Sequence, residues 1–186
     1  MPRSIPNALT IARIALAPVL AFALQPDQPA IAALIVFAAG MASDVLDGQL
    51  ARSRKLVTNF GKLMDPIADK VFIGTAVVAL AATDRLAVWV VVVVFSRELI
   101  VTGLRLAARR EGTIIAASAL GKAKTVVQAV AVFVLIAAGP DGAVAQALVY
   151  LMVAITVFSG ADYIAGYVRR RRPVAQPAAV EKLRVA

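Results

Sequence analysis

Cysteine and histidine are both missing from the 186 residues. Their absence excludes disulfide frameworks, thiol nucleophiles, Cys/His zinc sites and imidazole bases together. Chemistry in this chain therefore falls to carboxylates, hydroxyls, lysine and arginine. Charge is scarce too, at 17% of residues, and only 11 residues are acidic against 20 basic. The lack of cysteine does not set a redox compartment, because a chain embedded in lipid needs no disulfide. What fills the sequence is apolar, 61% of residues, with a mean hydropathy of +0.83. A soluble domain sits near ~45–50% apolar, so much of this surface is expected to face lipid. One bilayer span takes ~20 apolar residues, so the length suits about six spans with short loops and no water-soluble domain beside them.

The net charge of +9 comes without the aromatic-interleaved basic module of a nucleic-acid binder, and no nucleic-acid partner is expected. Positive charge on a hydrophobic chain instead sets topology and attracts anionic lipid headgroups. Met1-Pro2-Arg3-Ser4-Ile5-Pro6-Asn7 lacks the pattern of a cleaved signal and is expected to be retained. Apolar stretches run over about 8–24, 30–51, 60–82, 86–108, 115–138 and 143–168. Arg3, Arg13, Arg52, Arg54, Lys55, Lys62, Arg105, Arg109, Arg110, Lys122, Lys124 and the run Arg169 to Arg172 fall on one side of these stretches. Asp27, Asp84, Asp141 and Arg85 fall on the other. The positive-inside tendency then predicts an all-α polytopic membrane protein of six transmembrane helices with both termini cytoplasmic. Residues 1–173 form the membrane domain, and 174–186 a flexible cytoplasmic tail. No internal repeat of the transporter kind is evident.

Ionisable groups inside spans are costly and usually mark a site. Four of the eleven acids lie between Asp44 and Asp69. Asp44, Asp47, Gly48, Ala51 and Arg52 are spaced by threes and fours and share one helix face. Gly61, Asp65 and Asp69 repeat every four residues on the next helix. A short connection makes the helices antiparallel neighbours whose faces meet, with Gly48, Ala51 and Gly61 leaving room for a bulky group. Four converging carboxylates repel, and Lys62, Lys70 and Arg52 cannot obviously neutralise them all. Divalent cations can, and oxygen ligands favour Mg²⁺ or Mn²⁺. A pair of such ions is a known clamp for phosphoryl chemistry.

The segment fits D-x2-D-G-x2-A-R-x8-G-x3-D-x3-D at all eight fixed positions. On that motif the chain resembles the CDP-alcohol phosphotransferase family, whose six-helix membrane fold would cover nearly all of it. The resemblance implies transfer of a phospho-linked group from a CDP-linked donor to an alcohol, with release of CMP. It implies that Asp44, Asp47, Asp65 and Asp69 bind two metal ions and that Asp69 is also the general base. Gly48, Arg52 and Thr58 would contact the CDP-diacylglycerol donor. Pro6-Asn7-Ala8-Leu9-Thr10 resembles the family's entry segment, where Asn7 and Thr10 cradle the nucleotide. A homodimer is implied as well.

The acceptor is read from elsewhere. Ser96-Arg97-Glu98, Gly103-Leu104-Arg105 and Gly121-Lys122-Ala123-Lys124-Thr125 with Gln128 bring Arg105, Lys122 and Lys124 to the cytoplasmic end. Bases there suit an acceptor carrying its own phosphate. The arrangement is similar to the phosphatidylglycerophosphate synthase branch, which implies glycerol 3-phosphate as acceptor. A phosphatidylinositol-phosphate synthase is the alternative within the family. A cardiolipin synthase of this fold has less use for phosphate-binding bases, and a cation-coupled transporter is the reading from another class. Arg97-Glu98 is expected to be an internal ion pair that fixes helix packing.

Overall fold

The computed structural model describes residues 4–53, 59–111 and 118–171, with the side chains of 4–7, 47–53, 59–63 and 171 outside that description. Among the described residues there are six helices and no strand: α1 (Ser4–Ala23), α2 (Ala30–Ser53), α3 (Asn59–Ala82), α4 (Val88–Arg110), α5 (Ala119–Ala138) and α6 (Ala143–Arg171). They match the six apolar stretches. The expected start of the fifth, near Ile115, lies outside the described residues, and α5 itself begins at Ala119.

Every helix has at least 20 residues, a length of about 30 Å at 1.5 Å per residue. Two are long and apolar enough to cross a membrane, over Ala119–Ala138 and Ala143–Arg170. Apolar runs in α1 and α2 are shorter, Ala8–Ala23 and Ala30–Leu46. Charge is what interrupts α3 and α4, and it does so at the residues that build the site. Large apolar side chains stand exposed on all six helices: Ile11, Ile35, Val78, Leu99, Val126 and Phe158. A soluble monomer rarely shows apolar surface on this scale.

Sequence spacing explains what is buried. The inward positions of α4 are Val90, Val94, Arg97, Val101 and Ala108, steps of three, four or seven that trace one stripe. On α5 the inward stripe is Lys124, Gln128, Ala131, Val132, Leu135 and Ile136, polar at its start and aliphatic afterwards. The helices meet as α1 with α2 and α3, and α6 with α4 and α5, while α2 touches α5, and α3 touches α4 and α5, along less of their length. The core joins Leu20, Phe37, Phe72, Leu80, Val90 and Leu135. Phe37 and Phe72 stack with centroids 5.9 Å apart and planes 17° from parallel. Gly40 makes this approach of α2 and α3 feasible, since a Cβ there would land on the Phe72 ring.

Short turns fix the order of the helices. Thr83 N and Arg85 N donate to Ala79 O at 3.1 Å and Leu80 O at 2.8 Å, closing α3. Asp84 sits in this turn at φ 57°, a left-handed conformation that aspartate tolerates better than most residues. Gly139, at φ 74°, ends α5 and donates its N–H to Leu135 O at 3.1 Å. Such a backbone favours glycine.

Candidate active site

The first helix reaches both carboxylate-bearing helices from a single face. Thr10 and Arg13 are three residues apart, so they project together, and both are buried. Thr10 Oγ1 donates to Asp65 Oδ1 on α3 at 2.6 Å. Arg13 Nη1 lies 2.9 Å from Asp44 Oδ1 on α2, and its Nε donates to Ser43 Oγ at 3.4 Å. Ser43 in turn donates to the Gly40 carbonyl at 2.7 Å. A guanidinium with 1% exposure is costly to bury without a countercharge. Asp44 supplies one.

Asp69 lies one helical turn beyond Asp65 and within electrostatic range of Asp44, Arg13, Lys124 and Glu98. The expectation that α2 and α3 pack face to face is corrected among the described residues: α1 packs against both helices, and Asp44 acts on Asp69 only through its charge. Among the described residues no group of three carboxylates is already closed into a metal site, and the side chain of Asp47 lies outside them. Asp44 and Asp65 each engage a partner on α1. A carboxylate offers about four acceptor positions, so these contacts leave capacity for a cation, and an oxygen-only donor set suits a hard divalent ion.

Between α3, α4 and α5 opens a cavity of about 630 Å³ whose polar lining includes Asp69, Lys70, Glu98, Arg105, Lys122 and Lys124. The start of α5 is set by Ser118, whose Oγ accepts from Gly121 N at 3.2 Å. Lys122 and Lys124 then leave the first turns in different directions. Lys122 is exposed, whereas Lys124 turns inward and donates to Glu98 Oε1 at 2.7 Å. Arg97 Nη1 donates to the same oxygen at 2.9 Å, and its Nε donates to Ser159 Oγ on α6 at 3.1 Å. Lys70 Nζ donates to Thr102 Oγ1 at 2.6 Å and stands 3.9 Å from Glu98 Oε2. Arg105 Nε donates to the Tyr163 hydroxyl at 3.0 Å, with the guanidinium 5.0 Å from that ring's centroid.

The geometry therefore gathers Asp69, Arg105, Lys122 and Lys124, four residues singled out from the sequence, around one cavity. It places Asp44 and Asp65 beside α1. Asp47, Asn7, Gly48 and Arg52 have side chains or surroundings outside the described residues, as does Thr58 entirely. Two assignments change in emphasis. Thr10, expected against the nucleotide, bonds to Asp65, and Lys124, expected as a phosphate ligand, is already paired with Glu98. The Arg97–Glu98 ion pair is present, as expected, but Glu98 gathers Lys124 as well. Arg13, Lys70, Thr102 and Tyr163 were not singled out as site residues. Two of them carry a local signal in the sequence: Arg13 its three-residue spacing from Thr10, and Lys70 its place directly after Asp69.

Comparison with known proteins gives the family. Residues 3–158 match the family model described as CDP-alcohol phosphatidyltransferase, and the chain belongs to that family. Among its relatives, a probable phosphatidylglycerophosphate synthase of Mycobacterium tuberculosis is 41% identical over 170 residues, 88% of this chain and 81% of the relative. A CDP-diacylglycerol–glycerol-3-phosphate 3-phosphatidyltransferase of Bacillus subtilis is 40% identical over 147 residues, 72% of this chain and 76% of the relative. One of the same description from Rickettsia felis is 33% identical over 170 residues, 87% and 93% of the two chains.

Proposed function

We propose that this chain transfers the phosphatidyl group of CDP-diacylglycerol to glycerol 3-phosphate, giving phosphatidylglycerophosphate and CMP. The observation that carries it is the cavity that sets Asp69 among Lys70, Arg105, Lys122 and Lys124. A carboxylate beside several cations suits an acceptor that brings a hydroxyl to be deprotonated and a phosphate to be held. The relatives described above bear names for this same reaction.

In the proposed reaction Asp69 takes the proton of the acceptor hydroxyl. The freed oxygen bonds to the phosphatidyl phosphorus, and the bond to CMP breaks with its electron pair leaving on CMP. An ordinary carboxylate is a weak base, so Asp69 acts through orientation. Proton transfer of this kind contributes ~10²–10⁴-fold. Members of the family are generally metal-dependent, and Asp44, Asp47, Asp65 and Asp69 would hold two ions, Mg²⁺ or Mn²⁺. Bound there, the ions would draw charge from the diphosphate and ease the departure of CMP. Gly48, Arg52, Thr58 and Asn7 would face the donor, and Thr10 would serve it by holding Asp65.

We read all six helices as crossing the bilayer, with both termini and the cavity at the cytoplasmic face of a bacterial cell membrane. Helix lengths of about 30 Å or more, apolar exposure on every helix and the one-sided basic residues support this. A homodimer and contacts with anionic lipids belong to the same reading. The test is an acceptor panel on purified protein with CDP-diacylglycerol and either divalent ion. Glycerol 3-phosphate is expected to give CMP and phosphatidylglycerophosphate in detergent, with no sealed compartment. CMP release with inositol phosphate and none with glycerol 3-phosphate overturns the assignment.

A further inference from the structure

We propose that Lys70, held in place by Thr102, is a ligand for the phosphate of the acceptor. This rests on the reading that the acceptor is a phosphate monoester. Five cations line the cavity: Lys70, Arg97, Arg105, Lys122 and Lys124. Their charges are not equally available. Arg97 and Lys124 are buried, and both donate to Glu98 Oε1. Drawing either one away would leave that carboxylate and its remaining partner short of compensation in a desolvated place. These two are better described as the wall of the cavity than as its ligands. Arg105 gives its Nε to the neutral Tyr163 hydroxyl, which orients the guanidinium without neutralising it, so it can stand beside Lys70 as a second ligand.

Lys70 differs from Arg97 and Lys124. The carboxylate oxygen it faces, Glu98 Oε2, is 3.9 Å away, beyond hydrogen-bonding reach. Its close partner is a neutral hydroxyl, Thr102 Oγ1 at 2.6 Å. An ammonium has three donors, so Thr102 orients the group and leaves further N–H bonds unspent, while Glu98 shares its charge only at the longer distance of 3.9 Å. The side chain is 43% exposed and lines the cavity. An anion ligand needs this combination of fixed position and spare N–H donors.

Its register places it against the right part of the substrate. Lys70 follows Asp69 directly, and successive helical residues diverge by about 100°, so base and ammonium face adjoining walls of one cavity. An acceptor with its reacting hydroxyl at Asp69 and its phosphate at Lys70 lies across both. Lys70 also lines a second, mostly apolar groove of about 620 Å³ that runs beside Ala21, Val78, Ala82 and Phe95. A phosphate at Lys70 can thus arrive on a water-soluble acceptor or on a lipid, and the experiment separates the two.

Steady-state kinetics would be measured in mixed micelles, varying glycerol 3-phosphate and CDP-diacylglycerol separately, for wild type, Lys70→Gln, Lys70→Arg and Thr102→Val. Lys70→Gln is expected to raise KM for glycerol 3-phosphate by about 10-fold or more, the loss of one charge-assisted hydrogen bond. KM for CDP-diacylglycerol should stay within about twofold, and Lys70→Arg should recover most of the loss because it keeps the charge. Thr102→Val is expected to move the acceptor KM the same way by a smaller factor. Inorganic phosphate should compete with glycerol 3-phosphate in wild type and more weakly in Lys70→Gln. A raised KM for CDP-diacylglycerol with an unchanged acceptor KM assigns Lys70 to the lipid phosphate and overturns the proposal. Loss of kcat with both KM values unchanged makes Lys70 a mere tie between α3 and α4, and overturns it too. Should Lys70→Gln fail to fold, an unchanged acceptor KM in Thr102→Val is the refuting result. Wild-type protein inert towards glycerol 3-phosphate would instead sink the acceptor assignment.

Discussion

Glu98 is the residue whose replacement by glutamine tests the structure most directly. It accepts from Lys124 at 2.7 Å and Arg97 at 2.9 Å, and those two side chains are 7% and 9% exposed. A glutamine in its place would keep the shape and an acceptor oxygen but leave two buried cations without their carboxylate. Breaking one side of a buried ion pair costs about 3–5 kcal/mol. Glu98 is itself 24% exposed and glutamine still accepts hydrogen bonds, so the lower end, ~3 kcal/mol, is expected. For a chain of this size that corresponds to a fall of roughly 6–12 °C in the unfolding midpoint. Unfolding in detergent is commonly irreversible, so the comparison is made at fixed heating time by the fraction surviving size exclusion. Lys124→Met in the Glu98→Gln background removes one of the stranded charges and should recover about 1–2 kcal/mol of the loss. A Glu98→Gln protein as robust as wild type, or a double variant no better than the single, refutes the account of Glu98 as the shared counter-ion.

Gly40→Ala forces a methyl group onto the Phe72 ring and should cost about 1–3 kcal/mol of stability by overpacking. Gly103→Ala, where a Cβ meets nothing within 4 Å, is the control and should be neutral or slightly stabilising in the same heating assay. Asp69→Asn is expected to lower turnover by at least about 10²-fold with an unchanged size-exclusion profile, and retained CMP release would remove Asp69 from the base role. Chelation with EDTA should stop CMP release and either Mg²⁺ or Mn²⁺ should restore it, whereas activity insensitive to chelation would count against the carboxylates as metal ligands.

Much of this architecture is local information, and local information was legible. The six helices follow from apolar runs cut by Pro, Gly and charge. The shared face of Asp65 and Asp69 follows from a spacing of four. The pairs that organise the site are of another kind. Thr10 meets Asp65 across 55 positions, and Glu98 meets Lys124 across 26. Periodicity says which way a side chain points on its own helix and nothing about which helix it faces. Arg13 therefore read as a topological charge, although burial makes it a structural counter-ion. Lys124 read as an available base because its engagement depends on a carboxylate one helix away. Lys70 was visible only as a charge near the aspartates, since its partner Thr102 lies 32 positions on. The family motif supplied roles for Gly48 and Arg52 that spacing alone does not imply.

The bracing by α1 bears on why the aspartates can be held ready at all. Like charges so close would push α2 and α3 apart or drive protons onto the carboxylates. Arg13 removes one negative charge at Asp44, and the Thr10 hydroxyl stabilises Asp65 without adding charge. In the proposed site, four aspartates against one guanidinium would leave three negative charges, which would repel the diphosphate of a donor. Two divalent ions would turn that balance to one positive charge and make the same place attractive. On the far side of Asp69 the balance is reversed, for five cations face Asp69 and Glu98 across the cavity. On the proposed reading the two regions differ in what they demand: the carboxylate side would take cations before a substrate approaches, and the lysine side would take an anion. Asp69 stands at their boundary, within range of Asp44 on one side and Lys124 on the other. In the proposed reaction a base that meets an acceptor hydroxyl beside the donor's diphosphate would stand at that position.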